Sequence, residues 1–192
     1  TLSAQFCFAN RFTWDGRIAE KVNIREWIFQ QAAYCLLDFT VLGGRFSLIP
    51  SVPYKSDFTI DRQARIKEVA LFTDGNMRDM QVTWYGPEER SLFRGVATWR
   101  QETPFGFPQI RTIAIRLADS QGGSDNDDEE DFDMAAFCTS VEHPRTFLRY
   151  ALLLRKLVDH SIKFATTPYA ALGLSPGDVI RVVSKSVHGS RW

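Results

Sequence analysis

Ser120 to Asp133 carries the densest run of carboxylates in the chain, including Asp125-Asn126-Asp127-Asp128-Glu129-Glu130. Clustered Asp oxygens suit a hard cation such as calcium. A calcium loop of the EF-hand type needs acidic residues at alternating positions, a central Gly and a closing Glu, and this run does not reproduce that pattern. No metal is therefore assigned to it. Its charges cannot pack against an apolar core, so residues 120–133 are expected to form a solvated acidic loop. Such a loop is expected to be dispensable: a Gly-Ser linker in place of Ser124 to Asp131 should leave the thermal midpoint within a few degrees.

The remaining reactive residue types are scattered. Cys7, Cys35 and Cys138 are three, without a Cys-x-x-Cys pair. Cys35 sits among Ala33, Tyr34, Leu36 and Leu37, where a thiol acts as a small hydrophobe, and all three are expected to be reduced. His143, His160 and His188 have no partner at ligand spacing. No Gly-x-Ser-x-Gly elbow, Gly-x-x-x-x-Gly-Lys phosphate loop or His-Glu-x-x-His helix occurs. Asp178 follows Pro-Gly, where an Asp bonds its own turn. No catalytic residue and no cofactor is assigned, and the chain is not read as an enzyme.

Composition excludes further classes. Lys plus Arg and Asp plus Glu are 23 each, so there is no basic excess for tracking nucleic acid. No apolar run approaches the roughly 20 residues that span a bilayer. Arg45, Arg94, Arg100, Arg111 and Arg116 recur on predicted strands, facing outward or a subunit boundary. The chain begins at Thr1 and stops at Trp192, and is expected to be a piece of a longer polypeptide.

The elements that must position these residues are legible as periodicities. Residues 1–53 read as strand, helix, strand, strand, a small α+β unit ending at Pro50-Ser51-Val52-Pro53. Asn23 and Glu26 are placed to cap a helix from about Ile24 to Leu37, with Ile24, Trp27, Ile28 and Cys35 as its buried stripe. Gly43-Gly44 between two alternating runs predicts a tight hairpin.

Residues 54–192 are mostly strand. Ile66 to Phe72, Met80 to Tyr85, Phe93 to Trp99, Ile110 to Leu117, Ile162 to Thr167 and Val179 to Ser184 are the candidates. A helix over about 140–160 follows the acidic segment. Thr139 and Glu142 have the spacing of a capping box, and Pro144 fits only in the first turn. Phe147, Ala151, Leu154 and Val158 share a face expected to be buried, so Leu154→Ala should cost about 2–5 kcal/mol and Arg149→Ala little. Six short strands and one helix predict a small antiparallel β-barrel with a covering helix, making the whole α+β.

Three stretches carry a resemblance. Arg149-Tyr150-Ala151-Leu152-Leu153-Leu154-Arg155 is followed by Ile162-Lys163-Phe164-Ala165-Thr166-Thr167 and by Leu172-Gly173-Leu174-Ser175-Pro176-Gly177-Asp178-Val179-Ile180. Upstream, Trp27 to Cys35 leads to Gly43-Gly44-Arg45-Phe46-Ser47-Leu48-Ile49-Pro50, and Phe72-Thr73-Asp74-Gly75-Asn76 to Gln81-Val82-Thr83-Trp84-Tyr85. In this order they resemble the tail hub or tip proteins of long-tailed bacteriophages, the host-specificity class at the end of the tail tube. The acidic residues 122–133 and Pro144 depart from that family's pattern.

The resemblance implies a structural virion protein of the phage tail tip, assembled in the cytoplasm of the bacterial host. It implies a homotrimer joined to the tail tube, the distal tail protein and tip or fibre proteins. Its barrels would surround a channel through which DNA passes without specific binding. Val96, Trp99, Phe105 and Phe107 are the apolar residues expected at the subunit interface. The alternative is a carbohydrate- or receptor-binding module that uses Trp99, Phe105, Phe107 or Trp14 as stacking surfaces.

Overall fold

The structure, a computed structural model, describes residues 1–185 apart from 43, 66 and 105. Gly43, Ile66, Phe105 and His188, which enter the sequence expectations, lie outside the described residues.

The chain opens with a helix, α1 (Leu2–Ala9), where the sequence predicts a strand. Ser3, Phe6, Cys7 and Asn10 face inward at helical spacing, and Phe6 is fully buried. Helix α2 (Ile24–Tyr34) starts as expected, with the Asn23 side chain accepting the Arg25 N–H at 3.2 Å. Its buried residue is Ala32, whereas Ile24 is exposed. Strands β1 (Leu37–Leu42) and β2 (Arg45–Pro50) form the expected antiparallel hairpin, with Leu42 opposite Arg45. Gly44 in its turn adopts φ +75°, a conformation that suits Gly.

Six strands stand at or near the predicted positions: β3 (Ala70–Thr73), β4 (Met77–Trp84), β5 (Phe93–Gln101), β6 (Gln109–Ile115), and, beyond the acidic segment, two we number β8 (His160–Thr166) and β9 (Ile180–Val183). The seventh, β7 (Asp128–Asp133), lies inside the acidic segment itself. Residues 128–133 are thus not the solvated loop that their charge suggests. They run parallel to β5, with Phe132 opposite Ala97, and Phe132 packs edge-on to Phe147 at 5.3 Å. Three of the β7 carboxylates have partners on neighbouring elements. Glu129 pairs with Arg94 at 3.1 Å, Glu130 with Arg155 at 2.9 Å, and Asp133 accepts from the Thr98 hydroxyl at 2.8 Å. The turn before β7 is tied down by Arg116, which bridges Asp119 at 2.6 Å and Asp125 at 2.9 Å. Gly123 makes this turn possible, because a Cβ there would lie 2.1 Å from the Leu117 carbonyl oxygen.

The architecture is α+β, but strand pairing closes no barrel among the described residues. The sheets are β1-β2, β3-β9, β4-β8 and β6-β5-β7. The β3-β9 and β5-β7 pairs are parallel, so they are not the antiparallel neighbours that a meander barrel needs. β4 carries a bulge between Arg78 and Gln81, with Asp79 at φ +52°.

Helix α3 (Glu142–Leu157) organises the core. Pro144 does lie in its first turn, but the capping box does not form. Thr139 donates its hydroxyl to Asp15 at 2.6 Å, and Glu142 pairs with Arg145. The buried face is Leu148 and Leu152, both at 0%, flanked by Phe147 and Ala151. Leu154 is 47% exposed and Val158 is exposed, so the predicted stripe is rotated by about one residue. The rotation follows from packing on two sides. Phe147 and Tyr150 meet Phe6, Phe12, Leu36 and Leu37, while Leu148 meets Ala97, Met134, Phe137 and Cys138. Leu152 continues the second contact toward Phe93 and Leu117. One helix therefore joins residues before Pro53 to the β6-β5-β7 sheet.

Candidate interface surfaces

Side chains with reactive groups do converge at one place, at the start of α3. His143 is fully buried, its Nε2 is 2.9 Å from the Tyr34 carbonyl oxygen, and the Cys35 sulfur stands 4.0 Å from the same nitrogen. The contact with Tyr34 makes Nε2 the donor, so it has no lone pair with which to take a proton from Cys35. Cys35 itself is pushed far up by its hydrogen bond with Cys7 and by burial, and Cys7 is correspondingly lowered. A thiol held protonated is a poor nucleophile. Phe12 packs against the imidazole at 4.9 Å with the two rings tilted by 40°, which closes the site on that side. Among the described residues no group of three or more His, Cys, Asp or Glu is placed to hold a metal ion.

Burial depresses the His143 pKa, against the opposing effect of the Tyr34 and Thr13 backbone. The unfolded chain then binds more protons than the folded one below the ordinary value of about 6.5. Stability contributed by neutral His143 is fully present above that pH and is lost as pH falls. Thermal midpoints measured from pH 7.5 to 5 should therefore fall more steeply for the native chain than for His143→Gln. Parallel slopes for the two would show that the imidazole takes up its proton in place.

The residues expected at an interface do not form one patch. β5 alternates: Phe93, Gly95, Ala97 and Trp99 face α3, while Arg94, Val96, Thr98 and Arg100 face away. Trp99 is half-buried against the Ala97 and Met134 cluster. Val96 lies on the opposite face, in a groove of about 400 Å³ with Ile110, Asp131 and Phe132. Phe107, between β5 and β6, is 93% exposed. Trp14 is no exposed platform. It packs edge-on to Trp27 at 5.0 Å, stacks on Phe137 at 6.3 Å and donates Nε1–H to Gln31 at 3.2 Å.

The outer face of the β6-β5-β7 sheet and its β6 edge are open among the described residues. The two edges differ. β7 reads Asp-Glu-Glu-Asp-Phe-Asp, a charged edge that resists pairing with another strand. β6 carries a single charge, Arg111, which donates Nε–H to Gln101 at 3.0 Å, and it exposes Ile110. Four of the five predicted outward arginines brace the fold: Arg94, Arg111 and Arg116 are engaged as above, and Arg100 pairs with Glu102 at 2.9 Å and donates to the Asp15 carbonyl, while Arg45 is exposed on β2.

A second apolar surface was not marked by the sequence expectations. Phe29 of α2 (64% exposed) meets Phe39 of β1 edge-on at 6.4 Å, and Phe39 stacks on Phe46 of β2 (65% exposed) at 5.3 Å. The Arg25 guanidinium lies 5.4 Å from the Phe46 ring. The signal for it was present in the sequence, since Phe39, Val41, Phe46 and Leu48 alternate along the hairpin.

Comparison with known proteins adds a fold and no family. No family model matches the chain, and no curated protein matches it. Among solved structures it is similar to a chain from the virion of a native gene transfer agent particle, with a TM-score of 0.50 and 13% sequence identity. The likeness covers 94% of this chain and 40% of that one, so this chain spans less than half the length of its structural neighbour.

Proposed function

We propose that this chain is part of a structural virion protein at the tip of a phage-like tail, in the hub that joins the tail tube to distal or receptor-binding components. The observation that carries this proposal is the fold likeness to a virion chain, which extends over nearly the whole of the present chain. The sequence resemblance to tail hub proteins points to the same place. The surface is also that of an assembling protein: an open, nearly uncharged strand edge at β6 and large exposed aromatics at Phe29, Phe46 and Phe107.

In this proposal three copies close a ring around the DNA exit channel by repeated head-to-tail contacts. Val96, Ile110 and Phe107 belong to the contact, with Phe105 on the same connection; Trp99 supports it from the α3 side. The balanced charge of the chain, 23 basic against 23 acidic residues, keeps the channel wall from trapping DNA. No chemical step is assigned.

Mass spectrometry of purified particles tests the location, and peptides of this chain should co-purify with the tail fraction. Ile110→Asp tests the surface. It places a charge on the exposed β6 edge and should abolish incorporation into particles while changing the thermal midpoint by no more than about 2 °C. Normal incorporation of Ile110→Asp would remove β6 from the contact.

A further inference from the structure

Between the outer flank of α3 and residues 51–62 lies a cavity of about 260 Å³, and we infer that it is a docking site for a partner polypeptide segment that presents one apolar side chain beside carboxylates. Its floor is uncharged: Leu36, Val52, Ile60, Tyr150 and Leu153, with Thr146 at the side. Its rim carries two guanidiniums, Arg62 and Arg149, one from each wall. Both side chains are exposed, and among the described residues neither has a carboxylate within 4.0 Å. Two unanswered positive charges over an apolar floor complement a ligand that is apolar at its tip and anionic at its flanks.

The site is built before any partner arrives. Asn10 accepts the Ile60 N–H at 2.9 Å and donates to the Phe58 carbonyl at 2.9 Å, which pins the wall to the end of α1. Ser51 N–H donates to the Leu36 carbonyl at 2.9 Å on the other side of the floor. Such pre-organisation lowers the ordering cost of binding. Size and exposure select a segment over a small molecule. The volume is below the roughly 300–1,000 Å³ of sites that engulf drug-sized ligands, and Leu153 remains 41% exposed at the mouth. One branched or aromatic side chain fits, anchored by the backbone of a longer chain. The docking site does not depend on where the protein is located.

The test is a titration of the ¹⁵N-labelled chain with the peptide Ser-Asp-Leu-Asp-Ser, with Ser-Asn-Leu-Asn-Ser and free hexanoate alongside. Saturable shifts should appear at Ile60, Thr146, Arg149, Tyr150 and Leu153 with the acidic peptide. Affinity should drop at least about tenfold with the amide peptide and with Arg149→Glu, as expected for loss of charge-assisted contacts. Arg62→Glu should act in the same direction from the opposite wall, and both variants should keep the native thermal midpoint. Absent or non-saturable shifts, equal affinity for the amide peptide, or shifts at other residues would overturn the assignment. Equal shifts with hexanoate would make it a small-carboxylate site and reject the polypeptide occupant.

Discussion

Leu148→Ala should destabilise the protein by about 2–5 kcal/mol, while Leu154→Ala, six residues further along α3, should cost less than about 1 kcal/mol. Leu148 is fully buried among Ala97, Met134, Phe137 and Cys138, and a Cβ added at Gly95 would lie 2.7 Å from its Cδ2. Removing the side chain leaves a cavity between α3 and β5 that rigid strands cannot collapse to fill. Leu154 keeps nearly half of its surface in solvent, so little transfer free energy is lost with it. For a chain of this length the Leu148 variant should melt roughly 5–20 °C below the native midpoint, at about 2–4 °C per kcal/mol. Equal midpoints for the two variants would mean that α3 presents a different face to the sheet.

Replacing residues 124–131 with a Gly-Ser linker should now be costly, contrary to what the charge of this segment suggests. The replacement removes four of the six residues of β7, the parallel ladder they make with β5, and the Arg155–Glu130 pair. Arg155 also lies 4.8 Å from the Phe93 ring and donates to the Ser91 carbonyl, so its loss of Glu130 disturbs the mouth of the core. A fall of about 10 °C or more, or insoluble protein, is expected. A midpoint within a few degrees of native would show that the rest of the fold does not need β7. A milder control is Glu130→Gln, which keeps the strand and removes only the charge.

These two expectations mark where the sequence was legible and where it was not. Asn23 was legible as a cap because its partner, the Arg25 N–H, is two residues away. Pro144 was confined to a first turn by its own ring, and β4 and β6 announced themselves by alternation. Several of the failures have one cause, a partner far along the chain. The spacing of Thr139 suggests a cap on its own helix, but Asp15 takes its hydroxyl across 124 positions. The charge of Asp128–Asp133 suggests a solvated loop because the groups that engage it come from β5 and α3: Arg94 and Arg155 pair with Glu129 and Glu130, and the Thr98 hydroxyl donates to Asp133. The periodicity of α2 extends to Leu37 while the helix stops at Tyr34, because nothing in a Leu announces the left-handed backbone that Leu36 adopts at φ +52°. The face of α3 was misplaced by one residue because the helix is packed on two sides, which widens and rotates a stripe that a single contact would define.

The same division applies to the surface. Exposure of Phe107 followed from its position between two prolines in Pro104-Phe105-Gly106-Phe107-Pro108. The opposite orientations of Val96 and Trp99 required only the two-residue period of β5, but which face meets α3 required the fold. Arg62 and Arg149 are invisible as a pair in the sequence, since 87 positions separate them and no motif contains both.

Electron cryomicroscopy of the intact tail would show directly whether this chain sits in the particle and where. Density for this α+β fold is expected at the tail tip, three copies around the channel, with β6 at the contact between neighbours. A six-fold ring along the tube, a single copy per tail, copies confined to fibre ends, or particles that lack the chain altogether would contradict this placement.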